Sequence, residues 1–122
     1  MSNATPTDIR LHRASRVLEV VFDDGARFKL PCEYLRVYSP SAEVQGHGPG
    51  QEVLQIGKEE VNITAIEPIG QYAVKLHFSD GHNSGLYTWA WLYKLGAGYD
   101  ELWPAYLNQL AASGYQRKEP GT

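Results

Sequence analysis

Cysteine is almost absent from this sequence, which has only Cys32 among its 122 residues. A single thiol cannot form a disulfide within the chain, and a Cys-rich zinc ribbon needs several thiolates. The sequence therefore excludes both a disulfide framework and a zinc ribbon. Because lone cysteines are commonly small buried hydrophobes, we expect Cys32 to pack in the core rather than to react.

Long hydrophobic runs are absent as well. No stretch of the sequence approaches the roughly 20 apolar residues that a membrane-spanning helix needs. The N-terminal segment is polar and lacks the apolar centre of a signal peptide, so we expect residues 1–7 to form a disordered segment. With neither signal in the sequence, a cytoplasmic protein is the expectation.

An excess of positive charge is the third absence. The chain has 11 Lys and Arg residues against 14 Asp and Glu residues, which gives a net charge of −3 at pH 7. Proteins that bind nucleic acid or anionic membranes present clustered basic side chains, whereas the basic residues here are scattered. We therefore expect neither nucleic acid nor a membrane as a partner.

The sequence does contain enough apolar residues for a folded core, with 43% hydrophobic and 11% aromatic residues. Alternating apolar residues predict strands, and Gly25 supplies the hairpin turn between two of them. Strands are predicted within residues 8–30 and over residues 63–69, 72–78 and 85–87. These patterns predict a single α+β domain over residues 8–114, with a mostly antiparallel β-sheet and two or three short helices packed against it.

The predicted helices lie at residues 32–37 and in the C-terminal third. Thr88 is a candidate N-cap for a helix over residues 89–95 that stops at Gly96. A second helix is predicted from a cap at Asp100 to Gly114, with Pro104 tolerated in its first turn. The polar residues 115–122 are predicted to form a flexible tail.

Residues 38–57 are rich in turn-forming residues and poor in apolar ones. A stretch of this length without regular structure is usually functional or mobile in a compact domain. Its glycines at positions 46–50 lack the Lys-Ser/Thr pair of a phosphate-binding loop, so flexibility is their predicted role. Residues 53–54 are predicted to add a small edge strand.

Three segments of the sequence, residues 30–36, 39–44 and 80–92, resemble the gamma-butyrobetaine hydroxylase-like N-terminal domain family. The resemblance extends over about residues 9–110. It implies a domain that, in full-length hydroxylases, precedes an iron- and 2-oxoglutarate-dependent catalytic domain and binds a structural zinc through C-x-C-x-x-C and one histidine. Bacterial members stand alone as a domain of unknown function, and plants append the domain to some Mrp-type iron–sulfur carrier ATPases.

The family's zinc ligands fall here on Ser39, Ser41, Val44 and His82. Structural zinc requires thiolates or imidazoles, and neither a serine hydroxyl nor an isopropyl group provides such a donor near neutral pH. The resemblance therefore implies a degenerate zinc site with no metal. We expect His82 instead to hydrogen-bond to segment 39–41 and hold it in place.

A catalytic set is not apparent in the sequence. The facial triad of the hydroxylases needs an H-x-D or H-x-E pair, and none of the four histidines is followed in this way. No Ser-His-Asp order with a nucleophile elbow occurs either. We therefore expect that the chain is not an enzyme and carries no cofactor.

The leading functional hypothesis is a non-catalytic accessory domain that binds a partner protein, with a link to iron–sulfur protein maturation implied by the resemblance. Segment 39–50 and the aromatic residues Trp89, Trp91 and Tyr93 form the candidate interaction surface. The first alternative is a protein that binds iron or zinc through His82 and His47, with Glu43 or Cys32. The second is a small-molecule enzyme, which needs a deep pocket that holds several titratable groups with perturbed pKa values.

Overall fold

The computed structural model describes residues 4–45 and 53–117. In chain order the elements are β1 (Pro6–His12), β2 (Val17–Phe22), β3 (Arg27–Pro31), α1 (Cys32–Val37), α2 (Ala42–Gln45), β4 (Ile63–Ile69), β5 (Ala73–Phe78), β6 (Leu86–Thr88), α3 (Trp89–Ala97) and α4 (Tyr99–Ala112). The predicted α+β class is confirmed. The described strands form two antiparallel sheets of three strands each, β1-β2-β3 and β4-β5-β6, rather than one.

Alternation of apolar side chains explains why the strands form. In β2, Leu18, Val20 and Phe22 are buried while the residues between them are only partly covered. Gly25 has φ +90° in the turn between β2 and β3, a conformation that favours glycine. In β5, Val74, Leu76 and Phe78 face the core in the same way, as the sequence predicted.

The core lies between the two sheets and α1 and α3, and two buried tyrosines cross it. The hydroxyl of Tyr34 donates to the carbonyl of Leu95 at 2.6 Å, and that of Tyr87 donates to the carbonyl of Leu35 at 2.6 Å. A buried hydroxyl needs such a partner to offset its desolvation. These bonds fix α1 against α3 and β6.

Helix α3 begins as the sequence predicted, because the Thr88 side chain accepts a hydrogen bond from the Trp91 N–H at 3.1 Å. The predicted stop at Gly96 is wrong, since α3 continues to Ala97. Gly96 serves close packing instead. A Cβ atom added there would lie 2.3 Å from the ring of Phe28, so only glycine lets the helix approach β3 this closely.

Helix α4 begins one residue earlier than the predicted cap, and Gly98 occupies the N-cap position. Asp100 therefore lies in the first turn, where its negative charge interacts favourably with the positive end of the helix dipole. Pro104 lies inside the helix rather than in the first turn, which corrects the prediction. Helix α4 continues through Pro104 although proline has no N–H to donate to the helical hydrogen bonds.

Described residues on both sides of the 8–114 range contact the rest of the domain. Strand β1 begins at Pro6, and the Thr5 N–H donates to the Asp23 carboxylate at 3.1 Å. At the other end, Tyr115 and Arg117 contact the body of the domain. Residues 53–54 form no strand, and segment 38–57 contains the short helix α2. None of the described helices has the length and hydrophobicity of a bilayer span.

Candidate functional site

The four degenerate zinc-site positions lie on two segments that pack side by side. Ser39 and Ser41 follow α1, and His82 follows the turn after β5. Ser39 Oγ lies 2.9 Å from His82 Nε2, and Ser41 Oγ lies 2.6 Å from Ser84 Oγ. The predicted contact between His82 and segment 39–41 is therefore confirmed.

Glu43 joins these groups into a closed arrangement. Its Oε2 atom lies 3.3 Å from His82 Nδ1, and its Oε1 atom accepts from the Ser84 hydroxyl at 3.0 Å. We refer to Ser39, Ser41, Glu43, His82 and Ser84 as the polar network. Because an ionised carboxylate only accepts, Glu43 places the imidazole proton on Nδ1, and Nε2 then accepts from the Ser39 hydroxyl.

The surroundings of His82 favour its neutral form. Burial lowers the pKa of His82 and the nearby Arg36 guanidinium lowers it further, while Glu43 and Asp80 act in the opposite direction. Asp80 itself accepts from Arg36 Nε at 2.9 Å and from Lys58 Nζ at 2.8 Å. The polar network is thus an assembly of neutral hydrogen-bonding groups with one exposed carboxylate.

The order of Ser39, His82 and Glu43 matches the hydroxyl–imidazole–carboxylate order of a hydrolase triad, which the sequence analysis did not find. No spacing signal marks it, because the residues come from separate segments. Ser39 is 0% exposed, however, and a Cβ atom added at Gly85 would lie 2.5 Å from its Oγ. Because Gly85 packs so closely against Ser39, a substrate carbonyl has no room beside the hydroxyl. The hydrogen bond from Ser39 to His82 therefore has a structural role.

The donors present do not fit the structural zinc of the family. Both imidazole nitrogens of His82 already have partners, and two hydroxyls do not replace thiolates. The adjacent Arg36 adds positive charge, and its Nη1 atom is the one buried side-chain polar atom without a partner among the described residues. Val44, at the third cysteine position, is buried and supplies no donor.

The other proposed metal ligands are not assembled around His82. Glu43 contacts it, but the Cys32 Sγ atom lies 3.8 Å from Asn62 Oδ1, and burial raises the pKa of this thiol to about 11. His47 lies outside the described residues. Within residues 4–45 and 53–117, no group of three or more His, Cys, Asp or Glu side chains has a metal-binding arrangement.

An apolar groove of about 490 Å³ lies next to the polar network. It separates α2 and residues 53–55 from α3 and α4, and it was not predicted from the sequence. Its apolar and aromatic walls come from Val37, Tyr38, Val44, Val53, Leu54, Trp91, Leu95, Leu102 and Tyr106. Leu102, Tyr106 and Gln109 share one face of α4 at helical spacing, which is the signal in the sequence that points to this wall.

The aromatic residues of the predicted interaction surface do not form one patch. The Trp89 indole N–H donates to the Gln71 carbonyl at 2.8 Å, whereas that of Trp91 donates to the Tyr38 carbonyl at 3.0 Å. Tyr93 packs on Phe22 and Phe28. Of the three, only Trp91 lines the groove.

Comparisons with proteins of known structure extend over most of the chain. One relative, solved by NMR in solution, is 52% identical, covers 95% of this chain and 86% of its own, and superposes with a TM-score of 0.82. A second NMR structure is 47% identical over 98% of this chain and 96% of its own, with a TM-score of 0.80. Curated proteins gave no significant match.

A third similar structure is a crystal structure of a protein of unknown function in the DUF971 family from Acidithiobacillus ferrooxidans. It is 43% identical over 76% of this chain and 93% of its own, with a TM-score of 0.64. The sequence pattern of the family described as gamma-butyrobetaine hydroxylase-like, N-terminal, matches residues 9–93. The chain therefore belongs to the gamma-butyrobetaine hydroxylase-like N-terminal domain family.

Proposed function

We propose that this chain is a non-catalytic accessory domain that binds a partner protein through the apolar groove. The observation that carries the proposal is the position of Val44. It occupies the third cysteine position of the family's zinc site, and its side chain lines the groove. Compared with the family's pattern, the valine supplies no metal ligand and instead adds an apolar, largely covered side chain to the wall of the groove.

The chemistry of the polar network supports the absence of catalysis. Its hydroxyl and imidazole groups bond to one another, and Ser39 is fully buried. A nucleophile or general base must reach its substrate within hydrogen-bonding distance. Groups that are enclosed and mutually satisfied serve to hold segment 39–45 in place.

The groove has the composition of a protein-binding site. Tryptophan and tyrosine dominate binding hot spots because they bury large apolar areas and keep one polar atom available. Trp91 and Tyr106 contribute aromatic faces to the groove, although the Trp91 N–H and the Tyr106 hydroxyl are bonded within the chain to the carbonyls of Tyr38 and Gln55. The Lys94 Nζ atom lies 4.9 Å from the Trp91 ring centroid. Val53, on the groove wall, is 53% exposed although it is apolar. A partner side chain that fills the groove would cover this surface.

Site-specific photo-crosslinking in cells tests the proposed surface. A crosslinking amino acid at Val53 should capture one defined partner, and the matched control is the same amino acid at Tyr72, an apolar residue outside the groove that is 55% exposed. We expect a crosslinked species from position 53 and none of the same mass from position 72. Equal products from both positions, or none from position 53, would contradict the proposed docking surface.

The resemblance also implies a partner in iron–sulfur protein maturation, and mass spectrometry of the crosslinked species tests this part separately. The competing metal-binding function is tested by elemental analysis of protein purified without a metal-affinity column. Stoichiometric iron or zinc that disappears in His82→Ala would replace the interaction proposal with the metal-binding one.

A further inference from the structure

A second site, separate from the groove, lies between α1 and α4. Glu33, in the first turn of α1, is a carboxylate with only 6% exposure. Burying a carboxylate is costly unless it is paired and hydrogen-bonded. The partner is Arg117, whose Nε atom lies 2.9 Å from Glu33 Oε2 and whose Nη2 atom contacts Oε1. The contact is a bidentate guanidinium–carboxylate pair.

An aromatic ring completes the surroundings of the guanidinium. The Arg117 Cζ atom lies 5.4 Å from the centroid of the Trp103 ring, within cation–π range. Trp103 is held by its neighbours, with Tyr99 stacked at 6.2 Å and Tyr34 edge-on at 6.0 Å between centroids. The carboxylate and the ring therefore belong to helices α1 and α4, which pack in the body of the domain.

The guanidinium, in contrast, comes from the segment that follows α4. Residues 115–117 have no regular structure, and the Tyr115 N–H donates to the Leu110 carbonyl at 3.2 Å. Besides Arg117, the Tyr115 hydroxyl donates to Glu59 Oε2 at 2.6 Å, and Glu59 is 6% exposed. A preformed receptor is thus filled by a group on a short, irregular strap.

We propose that Glu33 and Trp103 form a guanidinium-binding site, that Arg117 occupies it in cis, and that an arginine side chain of a partner protein displaces Arg117. The planar fork of a guanidinium matches both oxygens of a carboxylate and stacks on an aromatic ring, whereas an ammonium does neither equally well. The site therefore selects arginine over lysine. A tethered occupant competes at an effective concentration of about millimolar, so the strap limits access by other ligands.

The test uses the full chain with Arg117→Ala and the probe N-acetyl-arginine amide, followed by NMR of the Trp103 indole N–H. The variant should bind the probe with saturation, and wild type should bind it at least tenfold more weakly because its own arginine competes. N-acetyl-lysine amide, the matched probe, should bind the variant at least tenfold more weakly than the arginine probe. Adding Glu33→Gln to Arg117→Ala should abolish the arginine response.

Equal responses to the two probes, equal binding by wild type and Arg117→Ala, or an unchanged response in the Glu33→Gln double variant would each overturn the proposal. If Arg117→Ala does not fold, the test uses Arg117→Lys instead, because this variant preserves the charge at the site. The arginine probe should then shift the Trp103 signal more strongly in Arg117→Lys than in wild type. No difference between the two would show that Arg117 is only a structural contact of the chain end.

Discussion

The polar network and the apolar groove share one wall, segment 39–45, but use it in opposite ways. On one side, Ser39 and Ser41 place their hydroxyls among His82, Glu43 and Ser84, where hydrogen bonds within the chain satisfy them. On the other side, Val44 and Gln45 belong to the wall of the groove, with Val44 almost fully covered by its neighbours. The buried hydroxyls and the imidazole are thus satisfied within the chain, whereas the groove exposes apolar atoms to solvent at Val53.

This difference separates the part of the molecule that holds the frame from the part available to a partner. Closed hydrogen bonds contribute to stability, and breaking one leaves a buried group unsatisfied at a cost of about 1–3 kcal/mol. The exposed groove side chains Val53 and Lys94 bury no polar group, so replacing them should lower stability less and weaken binding more.

Restoring the family's cysteines should have the largest effect. We expect Ser39→Cys/Ser41→Cys/Val44→Cys to bind one zinc ion together with His82, because this segment already brings position 39 to the histidine and position 41 to Ser84, two residues further along. Zinc at 100 to 1,000 times its Kd would stabilise the folded state by roughly 3–4 kcal/mol. Elemental analysis and thermal unfolding with and without chelator measure both quantities.

The control for this variant is the same triple substitution with His82→Ala, which should lose the metal. Failure of the triple variant to bind zinc would mean that Val44 has turned permanently towards the groove. The two sides of segment 39–45 would then differ even more than we propose, because position 44 could no longer supply a metal ligand.

Gly85→Ala should have the next largest effect. Its Cβ atom would lie 2.5 Å from Ser39 Oγ, so the hydroxyl must move from its place beside His82. Overpacking of this kind costs about 1–3 kcal/mol, which urea unfolding resolves. The double variant with Ser39→Ala relieves the contact and should be less destabilised than the sum of the two single variants. Strict additivity would contradict the close packing of this site.

The sequence was sufficient for the elements with strong local signals. Alternation in β5 and the side-chain cap at Thr88 predicted a strand and a helix start that the structure has. Gly96 misled the prediction of a helix end because its role is set by Phe28, a residue distant in the chain. Local patterns do not show which glycine ends a helix and which permits close packing.

The candidate site was predictable only where the family resemblance placed residues together. It brought Ser39 and His82 to one site, and the hydrogen bond between them followed from their chemistry. It did not indicate Glu43 as the third member of the polar network, nor the groove behind Val44. Both depend on the packing of α2 and α4, which no spacing within a single segment determines.

Acidification should destabilise the protein in two windows. Burial and Arg36 hold the pKa of His82 below its usual 6.5, so the unfolded chain takes up this proton first and stability falls as the pH drops below about 6.5. Burial alone would raise the pKa of Asp80, but Lys58, the His82 N–H and Arg36 lower it from 3.8 to about 2. Its contribution is present above about pH 4 and is lost towards about pH 2.

Urea unfolding as a function of pH separates the two windows. His82→Gln should remove the loss of stability that begins near neutral pH and leave the loss between about pH 4 and pH 2. Asp80→Asn should remove the loss at low pH and leave the one near neutral pH. A wild-type free energy of unfolding that stays constant between pH 7 and pH 5 would contradict the buried, neutral imidazole inferred for the polar network.

The smallest effect on stability is expected on the groove side, from Lys94→Glu. Lys94 is exposed above the Trp91 ring, and an exposed cation–π contact contributes at most about 1 kcal/mol. Because Lys94 lies at the groove, reversing its charge should nevertheless change the yield of the crosslink from Val53. Lys29→Glu on β3 is the matched control, since it changes the net charge equally at an exposed position outside the groove. If both variants change the crosslink yield equally, overall charge rather than the groove governs binding, and the two sides of segment 39–45 would not differ in function as we propose.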